Sequence, residues 1–416
     1  MIAVIGLGFV GLTTALGFAE KGYKVKGFDV DQNKLESFKN YKVPFYEAGL
    51  EDALKNHLNS DFFIADSFTD TVKDAKVIFY CVGTPGKEDG SADLTYLKIA
   101  IDDTLKTISK DDYPVLVIKS TVPPSATTDE IKPYIENLNF KVGKDLGLAN
   151  NPEFLRKGYA WDDFIYPDRV VLGCEDEKST NILKELYKPF NAPIHIVSYN
   201  SGEFIKYLSN TLLSTLISYA NEMSMIAKGI GNIDIADSFK ILHEDARWSG
   251  TPAKMSSYVY PGCGYGGYCL PKDTEALVMI SKKKGFEPKI LEKNLEINAK
   301  IKGFLIDELS EKIAKSEVVG ILGLSFKPDS DDIRHSPSLA IINKLLEKGY
   351  KNIIAYDPMA NEIFSKTYNL PIHYAKNLNE LISQTDQNIL VTSWHEFKEN
   401  SDLIKTKPLH DLRYFL

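Results

Sequence analysis

Cysteine is scarce in this chain: Cys81, Cys174, Cys263 and Cys269 are the only four in 416 residues. So few cannot build a disulfide framework, and the expectation is reduced thiols in a cytosolic compartment. Cys263 and Cys269 also lack the Cys-x-x-Cys spacing and the neighbouring histidines of a zinc site, so no metal is expected. Basic charge is not in excess either. A net charge of -8 excludes a general nucleic-acid surface, while leaving room for a local basic pocket that holds phosphates. No uninterrupted apolar run reaches spanning length. Met1-Ile2-Ala3-Val4-Ile5 leads into a glycine loop rather than a charged n-region and cleavage site, so neither a signal peptide nor a membrane partner is expected and the location is cytoplasmic. Low-complexity segments and short-period repeats are missing as well. What is left, with 44% hydrophobic and 25% charged residues, is a globular chain too long for one core, hence two or three domains.

The N-terminal part alternates short β-branched runs with helical patterns, the mark of a parallel α/β sheet. Candidate strands are Ile2–Ile5, Lys24–Phe28, Val77–Val82, Val115–Lys119, Leu146–Ala149 and Arg169–Gly173. Proline is absent from Gly202 to Gly229, where apolar residues recur at helical spacing, which predicts a long helix. A second helical stretch runs from Pro288 to Ile313. The strand-loop pattern then returns at Val318–Gly323 and again at Ile353–Asp357. The expected fold class is α/β: two Rossmann-like domains with parallel sheets, residues 1–198 and 315–416, joined by a helical middle domain, 199–314.

Gly6-Leu7-Gly8-Phe9-Val10-Gly11 fits G-x-G-x-x-G between a strand and an amphipathic helix. There the first glycine makes the turn, the second admits a pyrophosphate, and the third lets the helix pack on the strand while its N-terminus offers amide donors. Asp29, ending the second strand, has the spacing to accept from both ribose hydroxyls and would repel a 2′-phosphate, which favours NAD over NADP. Asp31 falls past the strand end and reads as a helix N-cap. Lys34 either reaches the adenosine region or is a solvated helix lysine. Further loops follow later strands at Cys81–Pro85 (with Thr84), Lys119–Pro124 (with Thr121) and Asn150–Gly158 (with Glu153), at the edge where an open α/β sheet places its ligands; each also suits ordinary turn chemistry.

In the long helix Lys206 and Asn210 lie four apart and share a face, as a reactive pair or as an ordinary polar stripe. In Pro261-Gly262-Cys263-Gly264-Tyr265-Gly266-Gly267-Tyr268-Cys269-Leu270-Pro271-Lys272-Asp273, glycines let the backbone come close to a neighbour before a thiol, a cation and a carboxylate follow. A nearby ammonium favours the thiolate of Cys269. A thiolate with a nicotinamide suits oxidation of an alcohol to an aldehyde, its capture as a thiohemiacetal, and oxidation to a thioester that water hydrolyses.

With these residues assembled, the chain resembles the UDP-glucose/GDP-mannose dehydrogenases from Met1 to about Asp411. The motifs that carry the resemblance are Gly6–Gly11, Lys119–Val122, Asn151–Leu155, Lys206–Asn210, Gly264–Asp273 and Gly323-Leu324-Ser325-Phe326-Lys327-Pro328-Asp329 with Asp332-Ile333-Arg334. The resemblance implies Cys269 as nucleophile, with Lys206, Asn210 and Asp273 positioning the hydroxyl and a water and stabilising the oxyanion. Glu153 and Thr121 would assist proton transfer and thioester hydrolysis. Phe154, Leu155, Arg156 and Lys157 would line the sugar nucleotide, and Gly266, Tyr258 or Tyr260, Phe326 and Lys327 would hold its sugar and diphosphate. Asp29, Lys34, Thr84, Thr121, Lys272 and Arg334 would contact NAD, and the middle domain would form a homodimer. Arg247 matches an arginine that reaches the neighbouring subunit's substrate. The run from Arg247 to Cys269 is longer than the family's, however, with Trp248–Ser257 as the extra segment, which leaves that role open. The wording of Gly264–Asp273 is closest to the branch that oxidises UDP-glucose to UDP-glucuronate with two NADH, rather than to the N-acetylhexosamine or GDP-mannose branches. A two-electron hydroxyacid dehydrogenase would also use a Lys206/Asn210 pair, but it needs neither Cys269 nor a second α/β half. A nucleotide-sugar sensor would gain nothing from a reactive thiol.

Overall fold

The computed structural model describes residues 1–245, 260–283 and 287–416, in two compact units, Met1–Leu208 and Ser209–Leu416. In the first unit eight strands form one sheet: β1 (Ile2–Ile5), β2 (Val25–Phe28), β3 (Phe62–Ile64), β4 (Val77–Tyr80), β5 (Val115–Ile118), β6 (Gly147–Asn150), β7 (Val170–Cys174) and β8 (Ile194–Val197). Their order is β3-β2-β1-β4-β5-β6-β7-β8. Every junction is parallel except β6 with β7. The central strands are apolar on both faces because helices cover both. Val4, Phe79 and Val117 face one core cluster, and the alternate residues Ile5, Ile78, Tyr80 and Ile118 face another. β1 lies between β2 and β4, so the chain reverses its winding beside the loop that follows β1.

The antiparallel junction is tightly packed around one asparagine. The space a Cβ would need at Gly173 is taken by Asn150 Oδ1, and the same atom fills the space beside Gly202. The Asn150 amide donates to the Tyr199 carbonyl over 2.9 Å. Two glycines thus let one asparagine fasten the start of the long helix, Tyr199–Ile230, to the end of the sheet. That helix begins in the first unit, and its later turns belong to the second.

The second unit carries a five-stranded parallel sheet of β9 (Val319–Leu322), β10 (Ile353–Tyr356), β11 (His373–Tyr374), β12 (Gln387–Leu390) and β13 (Leu409–Asp411). Its order, β11-β10-β9-β12-β13, repeats the central pattern of the first sheet, and buried clusters again lie on both faces. The helices Ile235–Glu244, Cys269–Lys283 and Lys289–Ser310 precede this sheet in the chain. The fold class is the one expected from the sequence, with strand ends displaced by a residue or two. β3, β8, β11, β12 and β13 are additions to the strands read from it. Among the described residues no helix is long and apolar enough to cross a membrane.

Candidate active site

The loop after β1 is shaped by glycine at each of its three motif positions, for three different reasons. Gly6 has φ +87°, and a Cβ on it would lie 2.9 Å from the Cys81 carbonyl, where the loops after β1 and β4 meet. At Gly11 a Cβ would lie 1.7 Å from the Gly6 carbonyl oxygen, so the helix Phe9–Glu20 can close on the loop only without one. At Gly8 a Cβ would meet no protein atom within 4 Å. Gly8 is also the N-cap, and no side chain caps this helix, which leaves its N-terminal amides available to an anion. The open space over Gly8 and the uncapped helix end fit a dinucleotide pyrophosphate.

Asp29 is buried and ties this loop down. Its Oδ2 accepts from the Leu7 N–H over 2.7 Å and from Lys34 Nζ over 2.8 Å, and its Oδ1 accepts from the Asp31 N–H over 3.0 Å. Lys34 therefore sits against the acid rather than in open solvent. Asp31 caps the helix Gln32–Lys39 by accepting from the amides of Asn33 and Lys34. Val30, which the sequence reading passed over, is 86% exposed directly beside Asp29, an apolar side chain free to take the flat face of a base. The Thr84 hydroxyl donates to the Thr121 carbonyl over 2.8 Å, joining the loops after β4 and β5.

At the end of β6 the chain gathers a buried charged group. Glu153 Oε1 pairs with Lys206 Nζ at 2.8 Å, and Oε2 accepts from the Leu155 N–H over 2.6 Å. Burial pushes the Glu153 carboxyl up, but the attraction of Lys206, joined by Lys119, outweighs it and leaves the group below its ordinary value. The Phe154 ring lies under the Lys206 ammonium at 5.7 Å and under the Arg169 guanidinium at 4.3 Å. Lys119 Nζ donates to Asn151 Oδ1 over 2.7 Å, and burial brings its pKa down to about 8. Arg156 is clamped by Asp163, with its main-chain N–H and its guanidinium both donating to that carboxylate. Lys157 lies beside it in the same loop. The loop's next turn is held by Glu47, a residue sequence reasoning missed, which accepts from the amides of Gly158 and Ala160. Cys81 is the counter-example among thiols: burial pushes it up to about 12, which makes it inert.

In the second unit, Cys269 is exposed and is the first residue of the helix Cys269–Lys283. One turn on, the buried Asp273 carboxylate pairs with Lys272 Nζ at 2.7 Å and accepts from the Asn210 amide. The glycines ahead of Cys269 make room for protein. A Cβ at Gly266 would lie 2.2 Å from the His335 carbonyl oxygen, and one at Gly267 would lie 2.9 Å from the Phe326 ring. The Gly267 N–H donates to the Arg334 carbonyl over 2.8 Å. These close contacts bring Phe326, Lys327 and Arg334, far off in sequence, to the glycine loop. Arg334 is held by Asp332, Nη2 to Oδ2 at 2.7 Å and Nε to Oδ1 at 3.0 Å. On the other side, Asn298 accepts from the Tyr265 N–H and donates to its carbonyl, while Asn294 accepts from the Tyr265 hydroxyl. Tyr260 packs among Phe239, His243 and Tyr414 rather than on that loop. Arg247, Tyr258 and the extra segment Trp248–Ser257 lie outside the described residues. Among the described residues, no three acidic, histidine or cysteine side chains gather as a metal site would require.

Comparison with known proteins matches the chain to three family models in order. These are the NAD-binding domain of the UDP-glucose/GDP-mannose dehydrogenase family over residues 1–191, its central domain over 200–300, and its UDP-binding domain over 320–416. A UDP-glucose 6-dehydrogenase of Bacillus subtilis is 36% identical over 98% of this chain and 86% of its own length. One from Haloferax volcanii is 34% identical over 96% of this chain and 93% of its own. The solved structure of a UDP-glucose dehydrogenase from Pyrobaculum islandicum is 33% identical and superposes with a TM-score of 0.91, over all of this chain and 94% of its own.

Proposed function

The chain belongs to the UDP-glucose/GDP-mannose dehydrogenase family and is an NAD-dependent oxidoreductase; within that family we propose that it oxidises UDP-glucose to UDP-glucuronate, a four-electron change that consumes two NAD and one water. The observation that carries this reading is Cys269, an exposed thiol opening a helix whose next turn holds the Lys272–Asp273 pair. A two-electron alcohol oxidation has no use for it.

Bound NAD supplies the hydride acceptor. Gly6, Gly8, Phe9, Val10 and Gly11 hold its pyrophosphate against the helix amides, and Asp29 takes the ribose with Lys34 beside it. Thr84, Thr121, Lys272 and Arg334 complete that set. Lys206 and Asn210, one turn apart on the long helix, orient the C6 hydroxyl and stabilise negative charge on its oxygen. Glu153, kept ionised by Lys206, moves the proton through water with Thr121. The sulfur of Cys269 adds to the aldehyde carbon and holds it as a thiohemiacetal, then as a thioester until water displaces the sulfur; Asp273 orients that water. Phe154, Leu155, Arg156, Lys157, Gly266, Phe326 and Lys327 bind the UDP-sugar; Tyr260, packed among Phe239, His243 and Tyr414, is left out of that set, and the role of Arg247 stays open.

The domain division at 198/199 and 314/315, a cytoplasmic location and a homodimer belong to the same reading. The dimer is supported by Phe204, Leu208, Leu212 and Tyr219, large apolar side chains left exposed at helical spacing on the long helix. A panel of UDP-glucose, UDP-galactose, UDP-N-acetylglucosamine and GDP-mannose, followed by NADH absorbance, tests the substrate. Two NADH per UDP-glucose are expected. One NADH per sugar, with the aldehyde accumulating, would end the proposal.

A further inference from the structure

We propose that Tyr268 is a positioning residue for this site, its ring holding the Arg334 guanidinium and the Lys272 ammonium beside Cys269. This rests on the roles proposed above for Cys269, Lys272 and Arg334. Tyr268 directly precedes the thiol and has no part in the chemistry as derived so far. Its ring centroid lies 4.7 Å from Arg334 Cζ and 5.6 Å from Lys272 Nζ. An aromatic face attracts both cations through its quadrupole. Lysine and arginine are the side chains with most rotamer freedom to lose, so a shared platform matters more for them than for shorter residues. Each cation has a second anchor, Asp332 for Arg334 and Asp273 for Lys272. The ring adds a fixed point common to both. The backbone supports the same placement, because the Gly267 N–H is bonded to the Arg334 carbonyl one residue before the ring. With no side chains on Gly266 and Gly267, the tyrosine is the side chain through which this end of the loop meets Arg334. Arg334 also feels the Cys269 sulfur electrostatically. Moving the arginine therefore changes the field at the thiol as well as a cofactor contact.

The test uses the full-length enzyme without substrate, measuring the rate of Cys269 alkylation by iodoacetamide against pH, with the labelled residue identified by mass spectrometry. KM for NAD and kcat are measured in parallel. Tyr268→Phe keeps the ring and should match the parent within about twofold in both. Tyr268→Leu keeps apolar bulk without a π face; it should shift the alkylation midpoint to higher pH and raise KM for NAD roughly 5- to 10-fold, with a smaller change in kcat. Tyr268→Ser should do the same, so one folded variant of the two suffices. Leucine and serine variants with the parent's alkylation profile and KM would overturn the proposal. So would a phenylalanine variant as impaired as they are, since the hydroxyl would then be the active group. Alkylation needs no sugar nucleotide, so failure of UDP-glucose oxidation would sink the substrate reading and leave this result standing.

Discussion

Cys269 and Cys81 show that residue type alone decides little about reactivity. The exposed thiol at a helix start is available for attack, whereas the partly buried Cys81 thiol is held up near 12 by desolvation. Cys269→Ala should lower glucuronate formation by at least roughly three orders of magnitude while NAD and UDP-sugar binding, read by calorimetry, stay close to the parent. Unchanged acid output would remove sulfur from the mechanism. Glu203 makes a second residue-scale case. Its Oε1 accepts from both the amide and the hydroxyl of Thr127, but Oε2 is buried without a partner, and burial pushes the carboxyl up to about 7. A carboxyl in an unfolded chain titrates near 4.3. The folded state therefore holds this proton more tightly, and stability is lost as pH rises from about 4.5 to about 7. Glu203→Gln mimics the protonated acid. Relative to the parent it should gain on the order of 2 kcal/mol between pH 5 and pH 8 in urea melts, and a gap that does not change with pH would refute the assignment.

At the scale of elements, the glycine loop after β1 separates two uses of one residue type. The third glycine serves packing and the second leaves room for a ligand, because a Cβ at Gly11 would run into the Gly6 carbonyl while one at Gly8 would enter open space. Gly11→Ala should thus cost on the order of 1–3 kcal/mol of stability. Gly8→Ala should leave the thermal midpoint nearly unchanged yet raise KM for NAD by roughly tenfold or more, since it puts a methyl into the space proposed for the pyrophosphate. Equal losses of stability in the two variants would contradict this division. Element identity was legible wherever the pattern was long or apolar on both faces, as in β1, β4 and β5 or the proline-free helix Tyr199–Ile230. β3, β8, β11, β12 and β13 were not, and for β3 and β8 the reason is physical. Both are sheet edges; β3 is three residues long and β8 is only partly buried, so neither needs the apolar run that marks a central strand.

Across the whole molecule, two α/β halves end their second strands in an aspartate and use it differently. Asp29 accepts from three protein donors. Asp357 accepts from six, including the indole of Trp394 and the amides of Leu324 and Ser325, so it is consumed in holding its own loop. Sequence likeness between the halves therefore does not make a second dinucleotide site. The exposed stripe on the long helix also belongs to this scale. Leu212→Glu puts a charge into it and should move the proposed dimer towards monomer in sedimentation, and an unaltered profile would exclude this face from that interface. The sequence by itself determined the α/β class and the glycine fingerprint of an NAD-binding domain, and it supplied the groups proposed as reactive, because spacing and residue chemistry are properties of the linear chain. Only the tertiary structure decided that Glu153 is paired with Lys206, that Asp273 holds Asn210 and Lys272, and that the glycines before Cys269 make room for the Phe326 ring and the His335 carbonyl. Those contacts join residues tens of positions apart, and long-range partnership follows from how the backbone packs rather than from any local pattern.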